Sequence, residues 1–456
     1  MKTRLLLCSV ALTAACEMPR PGNDVTSADA IEASAPDVVA MDTSASDAMP
    51  PADAGSDATP SADATPSTDA TPSADATPSA DASPDASAPA CMTASGDFLP
   101  RTPMASWSAP WSACMAVTNP NQYALFSASA SAPGRVRTLD VFDRPGALFD
   151  VTRDPAPGEF ALLGSTDGGM DTSANGLLTS TGVAVRYQRR PDEHYPVPAG
   201  LVLNSTYQDF CGMAANAAAN RDYCVGPIAL NPVLTASLGA GMAGMGPTRV
   251  HAARLQASYQ WWLYASIYKE SLTCAPVAAD CDSTWGYYTG GANRDDATQY
   301  GLAKTLIALG DAGRAAHERI WDALQAVRCW RDLDGGRATP QAEATNAALR
   351  EQARMQLDRA MTRGMALILQ ARLRAFAGSS GVVQQAHEAW LQVVGPLFAN
   401  GLERWSRGWW ASQRASAPAA VVTRVVADLR PAAGASFTAA QAGRAASDLD
   451  VLFPCP

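Results

Sequence analysis

The chain has 456 residues, 47% hydrophobic and 17% charged, and its 34 Lys and Arg against 44 Asp and Glu give a net charge of −10. An acidic balance argues against nucleic-acid binding. The acidity is local, however: residues 21–90 hold 13 acidic residues and no Lys or Arg. The remainder is close to neutral, so a cation would have to be drawn by a local cluster of ligands.

In chain order, Lys2 and Arg4 precede an apolar run from Leu5 to Leu12 and the small residues Thr13, Ala14 and Ala15. Residues 1–15 read as a secretory signal, too short to span a bilayer. The stretch Leu12-Thr13-Ala14-Ala15-Cys16 resembles the lipobox of bacterial lipoproteins. That resemblance implies a lipid on Cys16, which becomes the mature N-terminus and anchors the chain to a membrane. Thr13 is an uncommon residue in the motif, and ordinary cleavage is the alternative.

Residues 16–90 are predicted to be a disordered tether. From Asp57 the hexapeptide DATPSA recurs with small changes, and Asp, Ala, Thr, Pro and Ser bury too little to offset the entropy of ordering. Regular prolines favour an extended chain. The expected role is a spacer.

Residues 91–456 form the expected extracytoplasmic domain, with 91–230 irregular and 231–456 helical. Its cysteines are Cys91, Cys114, Cys211, Cys224, Cys274, Cys281, Cys329 and Cys455. An even set in an exported chain reads as disulfides. Short separations favour Cys211–Cys224 and Cys274–Cys281, and the pairing of Cys91, Cys114, Cys329 and Cys455 stays open. No CxxC spacing suggests a zinc or thioredoxin site.

The irregular part is expected to hold short helices and a strand or two. Beyond it, apolar spacing predicts helices over 248–271 (with Thr248 as the cap), 297–309, 311–330, 339–377 (with a break allowed), 382–411, 419–428 and 438–452. Gly310 and Gly335-Gly336 are expected stops. The predicted fold class is mainly α: an antiparallel helical array, disulfide-stapled, with an irregular N-terminal portion and a disordered tether.

Several motifs fail on inspection. Gly239-Ala-Gly241-Met-Ala-Gly244 matches GxGxxG, but no βαβ unit surrounds it, so a flexible helix–helix connection accounts for it better. His317-Glu318 and His387-Glu388 begin like HExxH, but Trp321 and Leu391 stand where the second histidine is needed. No GxSxG is present and the chain has four histidines. No catalytic residue is assigned, and an enzyme that uses an aromatic cleft on a glycan or peptide is the least favoured of the readings left open.

Three stretches combine chemically active residues. Arg189-Arg190-Pro191-Asp192-Glu193-His194 sets an imidazole beside two carboxylates, a donor set for a hard or borderline metal; from the residues alone, a salt-bridged turn in which the arginines neutralise the acids is the favoured account. Trp261-Trp262-Leu263-Tyr264, Tyr268, Glu270, Cys274, Cys281-Asp282 and Trp285 to Gly291 form a dense aromatic region. There the rings serve as a ligand wall or as core, while Glu270 and Asp282 serve as metal donors or as local structural contacts. The charges of Asp322 and Arg328-Cys329-Trp330-Arg331-Asp332-Leu333-Asp334 fit a buried ion-pair network near a helix end.

Together QRRPDEHYPVP (188–198), DYCVGP (222–227), WWLYASIYKESLTC (261–274), CDSTWGYYTGG (281–291), AVRCWRDLD (326–334) and FPCP (453–456) resemble the low-iron-inducible periplasmic protein family, known from algal iron assimilation and bacterial lipoproteins. The resemblance covers residues 185–456 and implies an extracytoplasmic, mostly helical protein linked to iron handling. It supplies no ligand set.

From residue chemistry, the expected metal ligands are Glu193, His194, Glu270 and Asp282, with iron as the metal. The expected setting is a lipid-anchored domain at the periplasmic face or cell surface, with an envelope protein or transporter as partner and no nucleic acid. The alternative is a structural or interaction lipoprotein without metal or catalysis.

Overall fold

A computed structural model describes residues 93–102, 111–114, 116, 118–126, 132–163, 178–180, 183–185, 215, 219, 227–274, 277–334, 346–404, 408–432 and 435–454. All belong to one of the two units into which the chain divides, Asp81–Pro456. The described residues are mainly helical. After a 3-10 turn at Trp111–Ala113 come α1 (Ala132–Asp140) and α2 (Pro157–Leu163). Next are the strands β1 (Leu178–Ser180) and β2 (Val183–Val185), followed by α3 (Pro227–Met242) and α4 (Thr248–Thr273). Then follow α5 (Ala278–Thr289), α6 (Gly301–Ile307), α7 (Asp311–Leu333) and α8 (Ala347–Gly378). The last four are α9 (Gly381–Arg404), α10 (Gly408–Gln413), α11 (Ala419–Leu429) and α12 (Ala439–Leu452). The strands pair antiparallel, Leu178 opposite Val185.

The interior is organised around α4. Leu255, Tyr259, Trp261, Trp262, Leu263, Tyr264 and Ile267 are all buried, and residues this close in sequence cannot share one helix face. A helix apolar on every side must be enclosed, and α4 packs against α3, α5 and α9. Its aromatics are core: Trp261, Tyr264 and Tyr268 run in series with centroids 5.1 and 4.9 Å apart. A second group is built on α8, which packs against α7, α9, α10 and α12.

Local signals explain the helix ends. Gly310, expected as a stop, is the N-cap of α7 at φ 80°, while α6 already ends at Ile307; Gly335 and Gly336 lie outside the described residues. Asn346 caps α8 by accepting from the Leu349 N–H at 3.0 Å. Thr438 and Gln441 form a reciprocal capping box on α12.

Four expectations change. Thr248 does not cap α4; Pro247 holds that position, and the Thr248 hydroxyl donates to the Pro155 carbonyl at 2.8 Å. The region 382–411 forms two helices, α9 and α10, and not one. The glycine motif lies largely inside α3, whose last turn reaches Met242, with only Gly244 (φ 64°) in the connection. Gly241 is needed there because a Cβ would run into the Phe160 ring of α2. Finally, α3 begins at Pro227, inside the part read as irregular, whose expected short helices and strands are α1, α2, β1 and β2.

Two disulfides tie the described parts together. Cys274–Cys281 joins α4 to α5 with Cα atoms 4.7 Å apart. Cys114–Cys329, at 5.3 Å, fixes the N-terminal segment to α7 across 215 residues. Cys91, Cys211, Cys224 and Cys455 lie outside the described residues. Among the described residues, no helix is long and apolar enough to cross a membrane.

Candidate functional site

Glu270 and Asp282 flank the Cys274–Cys281 bridge. Glu270 sits one turn before Cys274, whose N–H bonds the Glu270 carbonyl at 3.0 Å; Asp282 directly follows Cys281. Both are buried, at 4% and 0% exposure. The Asp282 carboxylate has a structural task, because its two oxygens accept the Phe126 N–H at 3.1 and 3.0 Å. It anchors a distant segment, where a local structural contact was the sequence alternative. Glu193 and His194 lie outside the described residues. Among the described residues, no group of three or more His, Cys, Asp and Glu side chains could hold a metal ion.

The densest polar chemistry lies between α5, α7 and segment 118–126. On α7, residues 318, 322 and 325 recur at three- and four-residue steps, so helical geometry aligns them on one face. Arg294, from the connection after α5, reaches into this face. Its Nη1 lies 2.9 Å from Glu318 and 2.8 Å from Asp322, and its guanidinium sits 5.7 Å from the Trp321 ring centroid. Arg319 adds a second pair to Asp322 at 3.2 Å. Arg101 bridges Glu318, at 3.1 Å, and Asp295. Burial pushes the Asp322 carboxyl up, opposed by Arg294 and Arg319.

A neutral chain of hydrogen bonds lies beside these charges. Burial pushes the His317 imidazole down and the Tyr288 hydroxyl well above its usual range. A protonated Tyr288 therefore donates to Nδ1 of a neutral His317 at 3.0 Å. This leaves Nε2–H to donate to the Arg294 carbonyl at 3.3 Å.

The same network captures segment 118–126. Tyr123 stacks on Trp285 with centroids 5.0 Å apart and donates to the Cys281 carbonyl at 2.9 Å. Gln325 donates to the Gln122 carbonyl at 2.8 Å. Arg328 donates to the Ala124 carbonyl, pairs with Asp332 at 2.8 Å and covers the Phe126 ring. The connection itself starts at Gly290, whose left-handed φ of 65° closes α5 and whose missing Cβ makes room for Tyr300.

The expected buried ion-pair network around Asp322 and Arg328 is therefore present, and both His-Glu pairs have structural roles. His317 and Glu318 belong to this network. Glu388 accepts the Phe437 N–H at 3.0 Å, while His387 is pushed down to about 4 by burial and Arg372. Arg294, Arg101, Tyr123 and Phe126 were not singled out in the sequence. Their only signal was composition, because each meets its partner through tertiary folding.

No family model, curated protein or solved structure matches the chain.

Proposed function

We propose that the protein is a membrane-tethered extracytoplasmic domain that binds a metal ion, iron, near the α4–α5 bridge. Export is supported by the signal-like start, the lipobox-like Cys16 and the spacer composition of 16–90. The observation that carries this part is the pair of buried disulfides, Cys114–Cys329 and Cys274–Cys281, since such bonds persist in oxidising compartments. Iron is suggested by the resemblance to the low-iron-inducible periplasmic proteins. Glu193, His194 and Glu270 are the proposed donors, a mixed imidazole and carboxylate set that suits iron. Asp282 is reassigned as the anchor of Phe126. An envelope transporter is the natural recipient of the cargo.

Elemental analysis of the purified protein after exposure to Fe(II) or Fe(III) tests this reading. About one iron per chain is expected. The Glu193→Ala/His194→Ala/Glu270→Ala variant should lose it, whereas Asp282→Asn should keep the stoichiometry. Protein free of iron, zinc, manganese and copper after loading would overturn it.

A second reading is a structural or interaction lipoprotein without metal. It is favoured by the engagement of Asp282 with the backbone and by the lack of a three-donor group among the described residues. A metal-free protein in the same assay supports this reading.

A further inference from the structure

A cavity of about 690 Å³ opens between segment 93–97, α8, α10 and the end of α12, lined by Met355, Arg359, Arg363, Trp409, Ser416 and Leu452 among others. Two arginines one helical turn apart on α8 reach it. Arg359 pairs with Asp97, both buried. Arg363 is 5% exposed, yet forms no ion pair among the described residues. Its Nη2 donates to the Pro454 carbonyl, while its Nε–H is buried with no hydrogen-bond partner. A guanidinium carries five donors and one full charge. Neither is satisfied here by a carbonyl alone, and leaving such a group buried is costly.

We infer that this cavity binds a small amphipathic carboxylate, its anionic group on Arg363 and its apolar body against Trp409 and Met355. The charges select the class. Arg359 is paired with Asp97, and Arg363 is the cation of the lining that has no acidic partner among the described residues; a monoanion balances it and a phosphate dianion exceeds it. The lining selects the body, because tryptophan, methionine and leucine face the space beside the guanidinium. Burial and the like charge of Arg359 lower Arg363 to about 10, so it stays cationic at neutral pH. The inference stands apart from the metal reading, as it uses none of the proposed donors.

Calorimetric titration of the purified full chain with phenylacetate, neutral phenylacetamide and benzylphosphonate provides the test. Phenylacetate should bind at least about tenfold more tightly than the amide, the margin of a charge-assisted hydrogen bond, and more tightly than the phosphonate. Arg363→Gln should reduce phenylacetate to the level of the amide. If that variant loses its native circular dichroism, Ser416→Trp at the exposed rim decides instead. It leaves the guanidinium in place and should block binding about tenfold or more. Equal binding of acid and amide, tighter binding of the phosphonate, or no binding at all would each overturn the inference.

Discussion

Two buried arginines treat their charge in opposite ways. Arg294, whose side chain is 0% exposed, meets Glu318, Asp322 and the Trp321 ring. Arg363, on α8, meets a backbone carbonyl and a cavity. In the first arrangement the charge has its counter-charges, although Nε and Nη2 of Arg294 are buried without a hydrogen-bond partner: removing the cation strands a buried acid. The second is open: removing the cation takes the donor from the Pro454 carbonyl but strands no buried acid among the described residues. A buried charge with its counter-charge in place holds the fold, and one without is available to a ligand.

The strongest test of this contrast is Arg294→Met. It leaves Asp322 buried without its nearer partner and should cost about 3–5 kcal/mol in urea unfolding. A loss below about 1 kcal/mol would mean that Arg319 alone suffices.

The next effect is a pH dependence next to the cavity. Asp358, in contact with Tyr268, Thr362 and the Trp409 N–H, is raised to about 7 by burial. Its folded pKa lies above its unfolded one, so its contribution is fully present below about pH 4 and lost as pH rises through about 7. Asp358→Asn should therefore match the wild type near pH 4 and exceed it by about 1–4 kcal/mol above pH 7. His387, lowered to about 4, acts with the opposite sign: its contribution is present above pH 6.5 and lost on acidification towards 4. An Asp358→Asn difference that is flat with pH would contradict the assignment.

A smaller effect concerns the captured segment. Asp282→Ala removes the acceptor of the Phe126 N–H and should cost about 1–3 kcal/mol. Amide exchange at Phe126 should accelerate more than at α8 core amides such as Leu369. The smallest change is expected for Arg363→Met, about 1 kcal/mol or less in either direction. Methionine fills similar space, and no buried acid among the described residues pairs with this arginine.

The fold was more legible than its polar interior. The start of α7 at Gly310, the start of α12 at Thr438 and the end of α11 follow from local chemistry, so spacing and caps located them closely. Helix α3 was hidden because Pro232 and the glycines after Leu238 lower local propensity, and packing against α2 and α4 overrides it. Region 382–411 read as one helix because its apolar spacing continues past Arg404, while Gly408 at φ 76° opens a new one. In the network, the alternating charges of α7 announced ion pairs but not their partners. Arg294 reaches Asp322 only through the turn set by Gly290, and Asp282 reaches Phe126 across 156 residues. Arg363 gave no signal at all. Four residues after Arg359 it reads as part of a solvated helix face, and what marks it is burial without an acidic partner among the described residues, which only tertiary structure can reveal.

The most direct measurement compares urea midpoints of the wild type and Arg363→Met with and without saturating phenylacetate. A ligand that binds only the folded state raises stability by mass action. The open-cavity account predicts a higher midpoint for the wild type in phenylacetate and, for Arg363→Met, a stabilisation smaller by about 1.4 kcal/mol, the equivalent of a tenfold loss of affinity. An equal shift in both proteins, or none in the wild type, would contradict it.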